Sequence, residues 1–177
     1  MNSARFSRGI VVLAGFAALG GCKKEQGSES TAAQSVTQSS TDLKDVESVF
    51  FAYEKIRLKL AADDTTVQAD AKALGDAATV ASETSPASLK SHLQSVAKAG
   101  AALAEAQGGA DVVRKAFGEV SRPVVAILAA EPRLAEGRHV FECPMAQGYK
   151  KWVQTSEEIS NPYMGSRMLA CGSKSKP

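Results

Sequence analysis

Histidines, aromatic side chains and a surplus of either charge are what this sequence has least of. Two histidines among 177 residues leave little room for a zinc site or a His-based hydrolase built within one chain. Three cysteines are too few for a disulfide scaffold. Lys and Arg number 21 against 19 Asp and Glu, far from the basic excess of a nucleic-acid binder, so no nucleic acid is expected as a partner. Phosphate loops and carboxylate pairs in a catalytic context are also missing, and the chain does not read as an enzyme. What it does have is 44% apolar residues, enough for one core and one domain.

The N-terminus reads as an export signal. Arg5 and Arg8 precede an apolar run from Ile10 to Leu19 that is too short to span a bilayer, the pattern of a secretory signal over residues 1–21. It closes on Leu19-Gly20-Gly21-Cys22, which resembles the lipobox of bacterial lipoproteins, where the cysteine is diacylated and becomes the mature N-terminus. That resemblance implies lipidation at Cys22 and a lipid-anchored cell-envelope protein facing the periplasm. The absence of Asp after Cys22 implies, by the sorting of Gram-negative lipoproteins, the outer membrane rather than the inner. Removing residues 1–21 takes away two arginines and no acid, leaving 19 residues of each sign. With no net charge, attachment to the lipid bilayer would rest on the acyl chains.

Residues 22–41 are rich in Ser, Thr, Gln, Ala and Glu and read as a tether without a core. Helical periodicity begins after it. Val46, Val49, Phe50, Tyr53, Ile56 and Leu60 make one stripe. Thr65 and Gln68 have the spacing of a capping box ahead of Val67, Ala71, Leu74, Ala78 and Ala81. Ser85-Pro86 opens a third segment with Leu89, Leu93, Val96 and Leu103 inward, and Gly108-Gly109 ends it. Asp111 is placed to cap a fourth carrying Val112, Val113, Ala116, Phe117, Val120, Val124, Ile127 and Leu128, which Pro123 is expected to kink. The expected fold is mainly α: an antiparallel four-helix bundle over residues 42–131. A small irregular or β cap over residues 132–172 packs on it as one domain, with strands at His139-Val140-Phe141-Glu142 and Lys151-Trp152-Val153-Gln154. Asn161-Pro162-Tyr163 marks a turn, Gly165 to Cys171 a last short helix, and residues 173–177 a frayed tail.

The chemistry sits in the cap. Cys143, Met145, Met164, Met168 and Cys171 place five sulfurs in one 29-residue window. Cys143 and Met145 share a face if their segment is extended, and Met164, Met168 and Cys171 share one if theirs is helical. Brought together, they would make a thiolate and thioether pocket of the kind that selects Cu(I), and Ag(I) by analogy. Zinc fits less well, since thioethers bind it poorly and two cysteines with His139 lack a fourth ordinary ligand. Two plainer readings compete. Methionine is a common filler of cores, and two exported cysteines often oxidise, which here would close a Cys143–Cys171 disulfide and exclude a cysteine-bound metal.

Four ordered segments carry a family resemblance: Val140 to Met145, Trp152 to Thr155, Ile159 to Gly165, and Met168 to Gly172. With Tyr53-Glu54-Lys55-Ile56, Leu60 to Asp64, and Phe117 ahead of Ser121, they resemble domain of unknown function 3347 over roughly residues 45–172. The resemblance implies an envelope domain found alone in lipoproteins and also fused to periplasmic adaptors of copper/silver efflux pumps, with no established activity. Cys143, Met145, Met168 and Cys171 match the family's recurring sulfur residues, and Met164 stands where an aromatic is usual. Partnership with metal-efflux components follows from it, although the chain has no adaptor hairpin or barrel segments of its own.

Among the remaining candidates, His139 can complete a soft site or serve as an ordinary strand residue. His92 lies at the edge of an apolar stripe and reads as packing. Asp63-Asp64 reads as helix capping. Cys143 with His139 imitates a thiol nucleophile and its base, but no orienting residue supports the pair. Trp152, Tyr149 and Tyr163 are placed to cover the sulfurs.

Overall fold

The computed structural model describes residues 43–177. The signal at residues 1–21, the tether at 22–41 and the lipidation site Cys22 lie outside the described residues.

Four helices follow one another: α1 (Lys44–Ala61), α2 (Gln68–Thr84), α3 (Ala87–Ala104) and α4 (Ala110–Ala130). Asp45 and Glu47 in the first turn of α1 and Lys59 in its last complement the helix dipole. The six stripe residues Val46 to Leu60 are all buried, as are Val67 to Ala81 of the second segment and Leu89 to Leu103 of the third. On α4, Val113, Phe117, Val120, Val124, Ile127 and Leu128 are buried and Ala116 packs at the edge, but Val112 faces outward. Each helix packs on its predecessor in sequence, α1 on α2 on α3 on α4. The bundle closes where Tyr53 of α1 stacks on Phe117 of α4, ring centroids 5.1 Å apart. Among the described residues no helix is long and apolar enough to cross a membrane.

The helix caps differ from the sequence signals. No side-chain cap bond forms at α2, α3 or α4. Thr65 and Gln68 do not form a capping box, because Asp64 takes the turn instead and accepts from the backbone N–H (2.8 Å) and hydroxyl of Thr66. The Ser85 hydroxyl is buried without a partner, and Asp111 lies inside the first turn of α4 rather than ahead of it. Pro123 lies buried inside α4, which continues past it to Ala130.

A 3-10 turn (Pro132–Ala135) leads to the cap. There β1 (His139–Glu142) pairs antiparallel with β2 (Lys151–Gln154), setting Val140 opposite Val153 and Phe141 opposite Trp152. After a second 3-10 turn (Gly165–Met168), β3 (Ser173–Ser175) pairs antiparallel with the other edge of β1. The tail is therefore a strand where fraying was expected, because β1 leaves an edge of unpaired backbone groups that the chain end satisfies. The sheet order is β2-β1-β3, and β2 packs on α4.

Helices α2 and α3 approach closely because small residues line their contact. A Cβ on Gly100 would stand 3.1 Å from both the Ala71 carbonyl oxygen and the Gly75 nitrogen, backbone atoms that cannot rotate away. Leucine there would gain about 0.5–1 kcal/mol of helix propensity but overpack the crossing by about 1–3 kcal/mol. We expect Gly100→Leu to lower the urea midpoint with an unchanged slope. An unaltered midpoint would show that the crossing has room.

Candidate functional site

Cys143 follows β1, extending its pairing with an N–H bond to the Lys150 carbonyl (3.0 Å). The chain then turns at once, the Cys143 carbonyl accepting from Ala146 N–H at 3.2 Å. Cys143 and Met145 thus do not share the face of an extended segment. The thiol is wholly buried, whereas Met145 is 62% exposed. The helix expected from Gly165 to Cys171 shortens to a 3-10 turn ending at Met168, so Met164, Met168 and Cys171 do not form one helical stripe. Met164 packs against the core, and Met168 is 43% exposed.

The cysteines nonetheless meet: 28 residues apart in sequence, their Sγ atoms lie 2.8 Å apart. Buried Asn161 organises the returning loop. Its side-chain oxygen accepts from the N–H groups of Tyr163 (2.8 Å) and Met164 (3.2 Å), and its Nδ2 donates to the Cys171 carbonyl (2.7 Å). Its backbone N–H donates to Leu169 O at 2.8 Å, so one residue fixes both ends of the segment that delivers Cys171. Gly172 then passes beneath Trp152, where a Cβ would meet the indole at 2.8 Å.

Contact with Cys143 first, and burial second, push the Cys171 thiol up to about 11. The Cys171 group is therefore a protonated thiol at neutral pH when reduced. The 2.8 Å separation is intermediate between two states. A disulfide needs about 2.05 Å, and two thiolates on one tetrahedral ion with 2.3 Å bonds stand about 3.8 Å apart. Either state is reached from the observed distance by about 1 Å of sulfur movement or less.

His139 opens β1, four strand residues and about 13 Å along the chain from Cys143. Its Nε2 lies 3.8 Å from Glu157 Oε1, and the structure does not bring it to the sulfurs. Among the described residues, no three of His, Cys, Asp and Glu form a metal-sized cluster. Trp152 stacks on Phe141 and meets Tyr163 edge-on, whereas Tyr149 lies under the Arg122 guanidinium. His92 is half-buried at the stripe edge, as packing predicts.

The residues that seat the cap were missed by sequence reasoning. Buried Arg57 reaches from α1 to the Ser160 carbonyl (2.8 Å) while paired with Glu54. Asp63 is not a helix cap. Its carboxylate binds Arg114 Nη2 at 2.6 Å and the Ser166 N–H at 3.1 Å, joining the end of α1 to α4 and to the loop before Cys171. Gly165 permits this approach: φ is +57°, and a Cβ would fall 1.8 Å from Asp63 Oδ1. An Asp in a helical stretch followed by a lone Arg and a Gly gives no sequence signal, because the three are more than 50 residues apart.

Compared with family models, curated proteins and solved structures, the chain matches none.

Hydrogen bonds from Ser166 first, and from Arg114 second, hold the Asp63 carboxyl below the usual carboxylate range. A depressed folded value contributes stability above the unfolded value of about 3.9 and loses it as pH falls through the folded one. Asp63→Asn should therefore lower the melting temperature at pH 7 and flatten its fall below pH 4. Parallel melting curves for variant and wild type would contradict this account of the junction.

Proposed function

We propose that this protein is an envelope lipoprotein that binds Cu(I), or Ag(I) as its analogue, through sulfurs of the C-terminal cap, buffering the ion or handing it to an efflux system. The observation that carries the reading is the setting of the two thiols. They are in contact, and each has an exposed thioether nearby, Met145 two residues after Cys143 and Met168 three before Cys171. A staple or a packed core has no use for exposed methionines, and so the filler reading does not account for these two. Thiolate and thioether together prefer a soft monovalent ion to zinc or a hard cation. The resemblance to domain of unknown function 3347 supports the envelope and efflux context, and the lipobox-like Leu19 to Cys22 supports the anchor.

Binding would proceed by displacement of thiol protons. Because the Cys171 thiol is held up at about 11, each captured ion must release its proton, and apparent affinity rises with pH across the neutral range. Thioethers lose no proton and exchange readily, so Met168 and Met145 would be the positions from which a partner takes the ion.

A second reading is favoured by the burial of Cys143 and by the short sulfur separation: a disulfide-stapled interaction module without metal. Loss of two protons and two electrons to an envelope oxidant would join Cys143 to Cys171 and stabilise the cap by about 3–4 kcal/mol.

One experiment separates the two. Free thiols other than Cys22 are counted in the protein as isolated, and the reduced full-length chain is then titrated anaerobically with Cu(I) against a colorimetric chelator. We expect one equivalent held at picomolar affinity or tighter, weakened about a hundredfold or more by Met145→Leu/Met168→Leu, substitutions at exposed positions that leave the core intact. Capture unchanged in that double variant would remove the methionines from the site. No capture, with both cysteines found joined, would establish the staple instead.

A further inference from the structure

A second site lies apart from the cysteine pair. A cavity of about 190 Å³ opens between the first turns of α4 and the loops around Met145 and Met164. It is somewhat larger than the roughly 150 Å³ that admits a benzene molecule. Arg114, Lys115 and Arg167 line it, with Gln147 beside them, and Asp111 is the one carboxylate in the wall. Lys115, Arg167 and Asp111 form no ion pair among the described residues.

Arg114 distinguishes this cavity from a solvated charged surface. Its side chain is only 7% exposed, so its guanidinium has lost most of its water. Nη2 is spent on the Leu60 carbonyl (3.3 Å) and on Asp63 (2.6 Å), but Nε is buried with no hydrogen-bond partner. A buried unpaired guanidinium N–H is costly, about 1–3 kcal/mol or more, and such groups are rare without a reason. Asp63 neutralises one of the three cations and Asp111 a second, which leaves the wall with a surplus of positive charge. Met145, Met164 and Tyr163 supply the apolar part of the lining.

We propose that this cavity is a binding site for a small carboxylate-bearing molecule. Its charged group would lie against Arg114, Lys115 and Arg167, where guanidinium and ammonium donors make charge-assisted bonds. Its short aliphatic part would rest on the two methionine side chains. A carboxylate with a short apolar tail suits the wall better than inorganic phosphate, because only the former also covers the methionine side chains. The proposal does not depend on the copper reading, because its charged group is held by Arg114, Lys115 and Arg167 and the methionine side chains contribute only apolar surface to it.

The test is calorimetric titration of the full-length protein at low ionic strength with sodium acetate, sodium succinate and inorganic phosphate. The expected result is saturable one-site binding of a carboxylate, weakened at least about tenfold by Lys115→Ala/Arg167→Ala, two exposed side chains without ion-pair partners. A His92→Ala variant, remote from the cavity, should bind as wild type. Saturable binding of phosphate but of neither carboxylate would overturn the ligand class. Heats that never saturate, or that are the same in wild type and the double variant, would overturn the site.

Discussion

The Tyr53 hydroxyl holds the two halves of this molecule together. From the middle of α1 it bonds Ser121 of α4 at 2.8 Å and accepts the N–H of Val153 in β2 at 3.3 Å, all of it buried. Burial holds the phenol protonated far above neutral pH, so the junction keeps one hydrogen-bond pattern. A three-stranded sheet of such short strands has too little apolar surface to stand alone. It folds because Trp152, Phe141 and Tyr163 extend the core of the bundle and because Tyr53, Arg57 and the Asp63–Arg114 pair supply polar anchors at fixed places. Each anchor makes its bond across the junction within hydrogen-bond distance, and removing one partner would leave a buried group unsatisfied, which costs more than the bond contributes.

The bundle sets the position of the sulfurs indirectly. Helix α4 carries β2, β2 sets the register of β1, and β1 ends at Cys143. The other cysteine arrives on a loop held from three sides: Asn161 inside it, Asp63 against Ser166, and β3 paired to β1 just beyond. The sulfur contact therefore closes a structure that is already anchored on both sides.

The helices and the first hairpin were legible in the sequence because periodicity is a local signal. The α1 stripe, the Ala-rich face of α2 and the strand pair at 139–142 and 151–154 all stand where the pattern puts them. Three features were not legible. The face shared by Cys143 and Met145 fails because Pro144 begins a turn, and the i, i+4, i+7 face fails because the chain makes a 3-10 turn of four residues. The strand at 173–175 has no pattern of its own and exists only because β1 has a free edge. The Asp63, Arg114 and Gly165 junction is a tertiary contact between residues that look like a helix end, a helix surface and a turn. Spacing brought the cysteines under suspicion, yet only the fold shows that their sulfurs touch.

The central claim is that sulfur alone forms the first coordination shell of a captured ion. Copper K-edge X-ray absorption on the reduced, anaerobically loaded full-length protein measures that shell directly. The account predicts scattering from sulfur only, from both thiolates with at least one thioether. A first shell containing nitrogen or oxygen, or one unaltered after Cys143 and Cys171 are alkylated, would contradict it.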